Sequence, residues 1–470
     1  MTSQTLRSLA SLITDSISKI ELACATKNVK LPSLDEPFSP QSEAPLMNPE
    51  ISEAASIIIA AASQLIATVR PAPMGLLTTA MQFHLSSALR VAVETNVVEI
   101  LREAGPQGLH IDDISARNNT DPSKLGRVLR LLATEHIFKE VSPDVFANNR
   151  ISSASDTGKP VKDLFERPEE KYPGTSGISA AISHFTDDQL KSSAYLLEAF
   201  TDPNYAKNED PSHTAFNKAF QTDLPIFTWF EQPGNESRLQ RFGIVFEVGS
   251  RLYPPNAILD GYDWGALPKG STVVDVGGGI GTQSLLISKA FPDLKLVVQD
   301  REAVIPDGIK FQYYEASAPE LLTSGRVSLQ PHDFYAEQPI KNARVYFMRM
   351  IMHDWPDSTC VKILKHLRVA AGEKTELIII ENLMDYACQD TTIDQSIPGM
   401  ESKVAPAPLL PNNGHAQVFA YYSDLQMICS LNGRERTPAQ FREILLQAGW
   451  EMTSIYRAPV GHHKIIARIA

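Results

Sequence analysis

From residue 271 the chain settles into a rhythm that few folds accommodate. Apolar runs of strand length, at 272–276, 294–298, 345–348 and 377–380, alternate with helical stretches long enough to cross over a sheet. A strand that is apolar at every position leaves no face for water, which suits a parallel sheet covered by helices on both sides. Strand–helix–strand repeats of this length build right-handed βαβ units. Two more strand-like runs, 452–457 and 464–469, predict a terminal antiparallel hairpin. The expected fold class is α/β, with a Rossmann-like domain over 246–470.

The region before it reads as mainly helical. Residues 1–30 have the spacing of one amphipathic helix. Residues 31–50 carry Pro32, Pro37, Pro40, Pro45 and Pro49 and read as a linker. Helical patterns at 51–69 and 74–103 are separated by Pro71 and Pro73. Two short helices follow, carried by Ile111, Ile114, Leu125, Val128, Leu129 and Leu132. A β-wing then turns at Ser142-Pro143-Asp144, flanked by Phe138, Val141, Val145 and Phe146. This is a winged-helix pattern. Lys124, Arg127 and Arg130 make a narrow basic face, and the net charge of −12 repels nucleic acid and anionic lipid. The module is therefore expected to serve packing and dimerisation, with no nucleic-acid and no membrane partner. The apolar segment 57–69 contains Ser63 and Gln64 and is too short to span a bilayer. Cys24, Cys360, Cys388 and Cys429 are scattered, with neither disulfide nor zinc spacing, which fits a reducing, cytoplasmic setting. Three parts are expected: an extension and linker (1–50), a helical and winged-helix domain for dimerisation and substrate lining (51–245), and the Rossmann-like domain (246–470).

The run 271–305 reads STVVDVGGGIGTQSLLISKAFPDLKLVVQDREAVI. A buried strand ends at Asp275-Val276, glycines follow, then a helix, then a second strand ending at Asp300. Glycine permits a tight turn and close approach of a ligand, and the helix start offers free N–H groups. Asp300, about twenty residues on, stands where a carboxylate accepts both hydroxyls of an adenosine ribose. A dinucleotide loop requires G-x-G-x-x-G. Here Gly277 and Gly279 are followed by Thr282 where the third glycine belongs. Asp275 suits an ammonium group, held directly or through water, better than a pyrophosphate. The combination predicts S-adenosyl-L-methionine, held by Gly277–Gly281, Asp275 and Asp300.

Further strand ends supply more chemistry. In VSLQPHDFYAEQP, Asp333 is placed to accept from an adenine amino group and Phe334 to cover the ring. In ARVYFMRMIMHDWPD, a strand leads into a loop carrying His353, at the sheet edge where open α/β folds place ligands. An imidazole titrating near neutrality can take a proton from a phenol. Glu381, ending the next strand, and Glu435, in SLNGRERTPAQF, are candidates to orient that ring and favour the imidazolium. His184 and His213 are candidates to line a substrate pocket, and His462 and His463 have no such context. No metal-ligand cluster is visible.

The motifs DVGGGIG, the strand-end Asp300, HDF, FMRMIMHDWPD, IIENLM and NGRERT together resemble class I S-adenosylmethionine-dependent O-methyltransferases. The likeness is to the caffeate/flavonoid type, in its fungal secondary-metabolism branch, and runs from about residue 75 to the end. It implies His353 as general base flanked by Glu381 and Glu435. It implies Gly277, Asp300, Asp333, Phe334 and Arg349 as cofactor contacts, and S-adenosyl-L-homocysteine as product. The family usually carries Lys four residues before the catalytic histidine; Arg349 keeps the charge without the point-like ammonium. A homodimer acting on a small molecule such as an aromatic polyketide is implied. Two departures stand out: the extension before residue 70, and the Pro-rich insertion 385–415, either a disordered loop or a lid. The rival reading is a pericyclase or dehydratase that keeps the cofactor only as a bound positive charge.

Overall fold

The computed structural model describes residues 2–251, 254, 256–310, 318–391, 393–459 and 461–470. The chain forms two compact units, Met1–Leu252 and Tyr253–Ala470.

The first unit is helical. The opening amphipathic pattern forms helix Thr2–Lys27. Helix Pro49–Val69 is capped by Asn48, whose side chain accepts from the Glu50 N–H, with proline at its first position. It packs Ile51 and Ala54 against Ile20 and Ala23. At 21 residues it is longer than its apolar stretch, and by length and composition it is long enough to cross a membrane. The apolar segment 57–69 is the second half of this longer helix. The pattern at 74–103 resolves into three helices, Ala72–Ala80, Phe83–Glu94 and Val97–Ala104. Asn96, at φ +55°, breaks the last two apart.

The winged helix is present. Helices Ile111–Asn118 and Pro122–Thr134 lead into a small antiparallel sheet of β1 (Leu109–His110), β2 (Phe138–Ser142) and β3 (Val145–Asn148), in the order β1-β3-β2. Arg130 is tied to the wing by Glu140 at 2.9 Å and Asp144 at 2.7 Å. His184 belongs to helix Ile178–His184. It is buried, with Nδ1 3.1 Å from Asp188 and Nε2 3.2 Å from Gln189.

The second unit is the α/β domain. Its seven-stranded sheet has the order β6-β5-β4-β7-β8-β10-β9. The strands are β4 (Thr272–Val276), β5 (Lys295–Asp300), β6 (Val327–Pro331), β7 (Val345–Arg349), β8 (Glu376–Glu381), β9 (Trp450–Tyr456) and β10 (His463–Ile469). β4 to β8 pair in parallel, and β10 runs antiparallel to both β8 and β9. Alternate residues feed two cores, as the pleat requires. Val274, Tyr346, Met348 and Ile379 meet helices Asp357–Ala370 and Pro438–Gln447 on one face. Val273, Val345, Phe347 and Ile378 fill the other. The order reverses between β4 and β7, so the ends of β4, β5, β7 and β8 flank a crevice of the kind that holds ligands. The described residues of insertion 385–415 pack against the domain. Met400, Ala405 and Leu409 are buried in it, and the Pro398 carbonyl accepts from the Ile455 N–H of β9 at 2.8 Å.

Candidate active site

The glycine run leaves β4 and bends over its end. The N–H groups of Gly277 and Gly278 donate to the Gln299 carbonyl at 2.8 and 3.0 Å, which fixes the loop to β5. Gly279 has φ +59°, and no atom lies within 4 Å of where its Cβ would stand. An L side chain is strained in that conformation, so glycine keeps the loop's outer side open. The Gly279 N–H donates to Asp300 Oδ2 at 2.7 Å, and Asp300 Oδ1 accepts from the Arg301 N–H at 2.8 Å. A carboxylate has about four acceptor positions, so Asp300 retains capacity for a ribose diol.

Asp275 lies next to the end of β4. It is buried under the loop, its carboxyl against Gly278 and its Oδ2 accepting from Ser284 Oγ at 2.7 Å. Burial pushes its pKa up to about 7, against the opposing pull of Ser284. The group therefore braces the start of helix Thr282–Ala290 from below. Phe334 lies near Gly277 and packs edge-on to Tyr335 and Trp355. Asp333 is exposed, its Oδ1 accepting from the Tyr335 N–H. Arg349 ends β7 with Nη2 3.5 Å from His462 Nδ1. Burial and the Arg349 charge push His462 down to about 3. His462 thus has a place beside the site that its sequence context did not reveal.

The second cluster forms where β7 ends. Met350 takes φ +54°, unusual for a non-glycine residue, and turns the chain out of the strand. The short helical turn Met352–Asp354 then presents His353. His353 Nδ1 lies 3.0 Å from Glu435 Oε1. In the neutral ring, a hydrogen on Nδ1, the one this carboxylate calls for, leaves the Nε2 lone pair available, and Nε2 lies 3.5 Å from Asp354 Oδ1. Glu435 Oε1 also accepts from Ser423 Oγ at 2.9 Å and Asn382 Nδ2 at 3.2 Å. Glu381 does not grip the ring as Glu435 does. Its Oε1 accepts the N–H groups of Ile351 and Met352 at 3.0 and 2.7 Å and so secures the loop.

Burial works to lower the His353 pKa. Asp354, Glu381 and Glu435 more than reverse this and raise it to about 10. Burial pushes Asp354 up to about 6 and Glu381 up to about 7. Glu435 is held below the usual carboxylate range, because His353, Ser423 and Asn382 outweigh its burial. Donor atoms of His353, Glu381 and Glu435 lie within 4.8 Å of one another, a spacing also open to a metal ion. Hydrogen bonds already occupy Glu435 Oε1 and Glu381 Oε1.

Sequence reasoning missed Arg436. Its guanidinium is fully buried and donates to the carbonyls of Met352 (2.7 Å) and Trp355 (2.6 Å), on either side of His353. Its Nε donates to Asp357 at 2.8 Å. The neighbouring Arg434 N–H donates to the His353 carbonyl at 2.8 Å. One segment, 433–436, thus holds both the ring and its loop. The only signal was the segment NGRERT itself, where nothing marks the second arginine as buried.

Comparison with known proteins places this arrangement. The O-methyltransferase domain profile matches residues 206–451, and the O-methyltransferase dimerisation domain matches 77–155. An O-methyltransferase of Armillaria gallica is 44% identical over 96% of this chain and 95% of its own. The chain belongs to the O-methyltransferase family. A 4-O-methyltransferase of Phanerochaete chrysosporium is 39% identical, covering 97% of both chains. Among solved structures, one described as a pericyclic reaction enzyme fits with a TM-score of 0.64 at 18% identity, covering 92% of this chain and 97% of the other. The mitomycin 7-O-methyltransferase fits at 0.62 and 20%, covering 85% and 98%. At such identities these show the fold. The sequence relatives are O-methyltransferases, so the cyclase reading is not favoured for this O-methyltransferase.

Proposed function

We propose that this O-methyltransferase transfers a methyl group from S-adenosylmethionine to a phenolic hydroxyl of a small secondary metabolite, with His353 as general base. The observation that carries this reading is the buried His353–Glu435 pair at the end of β7, its Nδ1 anchored at 3.0 Å. When bound, S-adenosylmethionine supplies an electrophilic methyl group on a positive sulfonium, and that charge also disfavours the imidazolium form of His353.

The chain's own groups do the rest. The open side of Gly279 and the remaining lone pairs of Asp300 fit an adenosine ribose. Phe334 and Asp333 fit its adenine, and Arg349 supports the same end of the sheet. Asp275 and Ser284 brace the loop. His353 Nε2 accepts the phenol proton, and Glu435 stabilises the imidazolium through Nδ1. Glu381 and Arg436 hold the loop so that the ring meets its substrate in one orientation. Residues 246–470 form the catalytic domain, and 51–245 serve dimerisation and substrate lining. The protein acts as a homodimer, supported by the dimerisation-domain match. Its unpaired cysteines fit the cytoplasm.

The test offers the purified protein labelled S-adenosylmethionine and a panel of phenols. His353→Ala should retain S-adenosylhomocysteine binding and lose methyl transfer by about 10²–10⁴-fold. Wild-type turnover in that variant would remove His353 from the role.

A further inference from the structure

Insertion 385–415 joins two elements that both end on Glu435. Upstream, Leu383 bridges to Arg436, and the Met384 N–H donates to the Arg436 carbonyl at 3.0 Å. Asn382, just before them, donates to Glu435 Oε1 at 3.2 Å. Downstream, the insertion feeds helix Val418–Leu431. In its second turn Ser423 Oγ donates to Glu435 Oε1 at 2.9 Å, and Asp424 Oδ1 accepts the Glu435 N–H at 2.8 Å. The carboxylate that anchors His353 is thus held from both ends of the insertion.

Those two ends meet at one hydroxyl. Tyr421, in the first turn of the helix, donates its O–H to the carbonyl of Asp385, the first residue of the insertion. The same oxygen accepts from Nδ2 of Asn412, near the last, at 2.6 Å. Asn412 is buried, and its Oδ1 accepts the Gly414 N–H at 3.0 Å. A phenol oxygen donates and accepts at once, so both bonds stand together. Closing a long loop costs entropy that contacts at its ends must offset. A helix moves as a unit, so a shift at its start carries Ser423 and Asp424 with it. We propose that Tyr421 is a positioning residue: by clasping the two ends of the insertion, it sets the helix that aims Glu435 at His353. Tyr421 acts through Ser423 and Asp424, and the insertion becomes part of the catalytic scaffold.

The proposal rests on the reading of His353 and Glu435 as base and partner, and the experiment separates the two. Tyr421→Phe removes the hydroxyl and keeps the ring. A catalytic group misplaced by about 1 Å can cost about 100-fold in rate, and a helix still held by its other bonds shifts less, so kcat should fall about 10-fold. The KM for S-adenosylmethionine should not change, because Gly279 and Asp300 belong to other elements. Glu435 raises the His353 midpoint, so loosening it should lower that midpoint by about half a pH unit. Imidazole proton NMR and the acid limb of the pH–rate profile both read this shift. A purely structural role would lower Tm alone. Arg457→Met is the control, because Arg457 holds the middle of the insertion through the Gly399 and Met400 carbonyls. Its Tm should fall and its midpoint should stay. An unchanged midpoint in Tyr421→Phe, or an equal fall in Arg457→Met, would overturn the proposal. The NMR reading needs no turnover. If the wild type transfers no methyl group, the functional reading fails while the midpoint still decides on Tyr421. Should Tyr421→Phe misfold, Asn412→Ser takes its place with the same two outcomes: serine keeps an oxygen for the Gly414 N–H and is too short to reach Tyr421.

Discussion

Replacing Glu435 by Gln isolates what its charge does for His353. Glu435 Oε1 accepts from His353 Nδ1 at 3.0 Å, Ser423 Oγ at 2.9 Å and Asn382 Nδ2 at 3.2 Å. A glutamine carbonyl can keep all three bonds, so the ring stays in place while one negative charge goes. A hydrogen bond to a charged group contributes ~1.5–3 kcal/mol and a neutral one ~0.5–1.5. The difference, about 1–1.5 kcal/mol, corresponds to roughly one pH unit. The sign follows from the charge: losing a neighbouring carboxylate disfavours the imidazolium. The His353 midpoint, raised to about 10 in the free protein, should therefore fall by about one pH unit. The same loss applies to the imidazolium formed during proton transfer, so the high-pH plateau of kcat should drop ~10-fold. The acid limb of the pH–rate profile should move to lower pH. Imidazole proton NMR, assigned with His353→Gln, gives the first quantity, and S-adenosylhomocysteine release against pH gives the second. A midpoint that stays put or rises, with an unchanged plateau, would refute the electrostatic role of Glu435.

The other expectations are quickly stated. Arg436→Met should orphan the Met352 and Trp355 carbonyls at ~1–3 kcal/mol each, lowering Tm by several degrees and kcat more than the KM for cofactor; an unchanged Tm would deny its loop-holding role. Gly279→Ala forces a side chain into φ +59° at ~1–2 kcal/mol, so S-adenosylhomocysteine should bind ~10-fold more weakly by calorimetry. Turnover should be indifferent to EDTA despite the metal-like spacing at His353; activity lost to chelation and restored by a divalent ion would mean that cluster holds a metal.

The parts legible in the sequence were those set by local pattern. The fully apolar runs announced parallel strands, and the glycine spacing with Asp300 announced the nucleoside end of the site. What stayed hidden depended on contacts distant in sequence or on burial. Glu435 meets His353 across 82 positions, so the sequence offered it only as one of two candidates beside Glu381. Nothing local showed that Ser284, nine residues on, would bond Asp275 beneath the loop. Arg436 went unnoticed because nothing local shows two carbonyls waiting for a guanidinium. His462 gained its context only when β10 folded back beside β8 and brought it to Arg349.

The central claim is methyl transfer, and cofactor binding alone does not establish it. The most direct measurement supplies S-adenosylmethionine carrying a deuterated methyl group together with a phenolic acceptor, and follows product and S-adenosylhomocysteine by mass spectrometry. The account predicts an O-methylated product bearing the label, with S-adenosylhomocysteine released in equal amount. Acceptor converted to a cyclised or dehydrated product, without label and without S-adenosylhomocysteine, would contradict it.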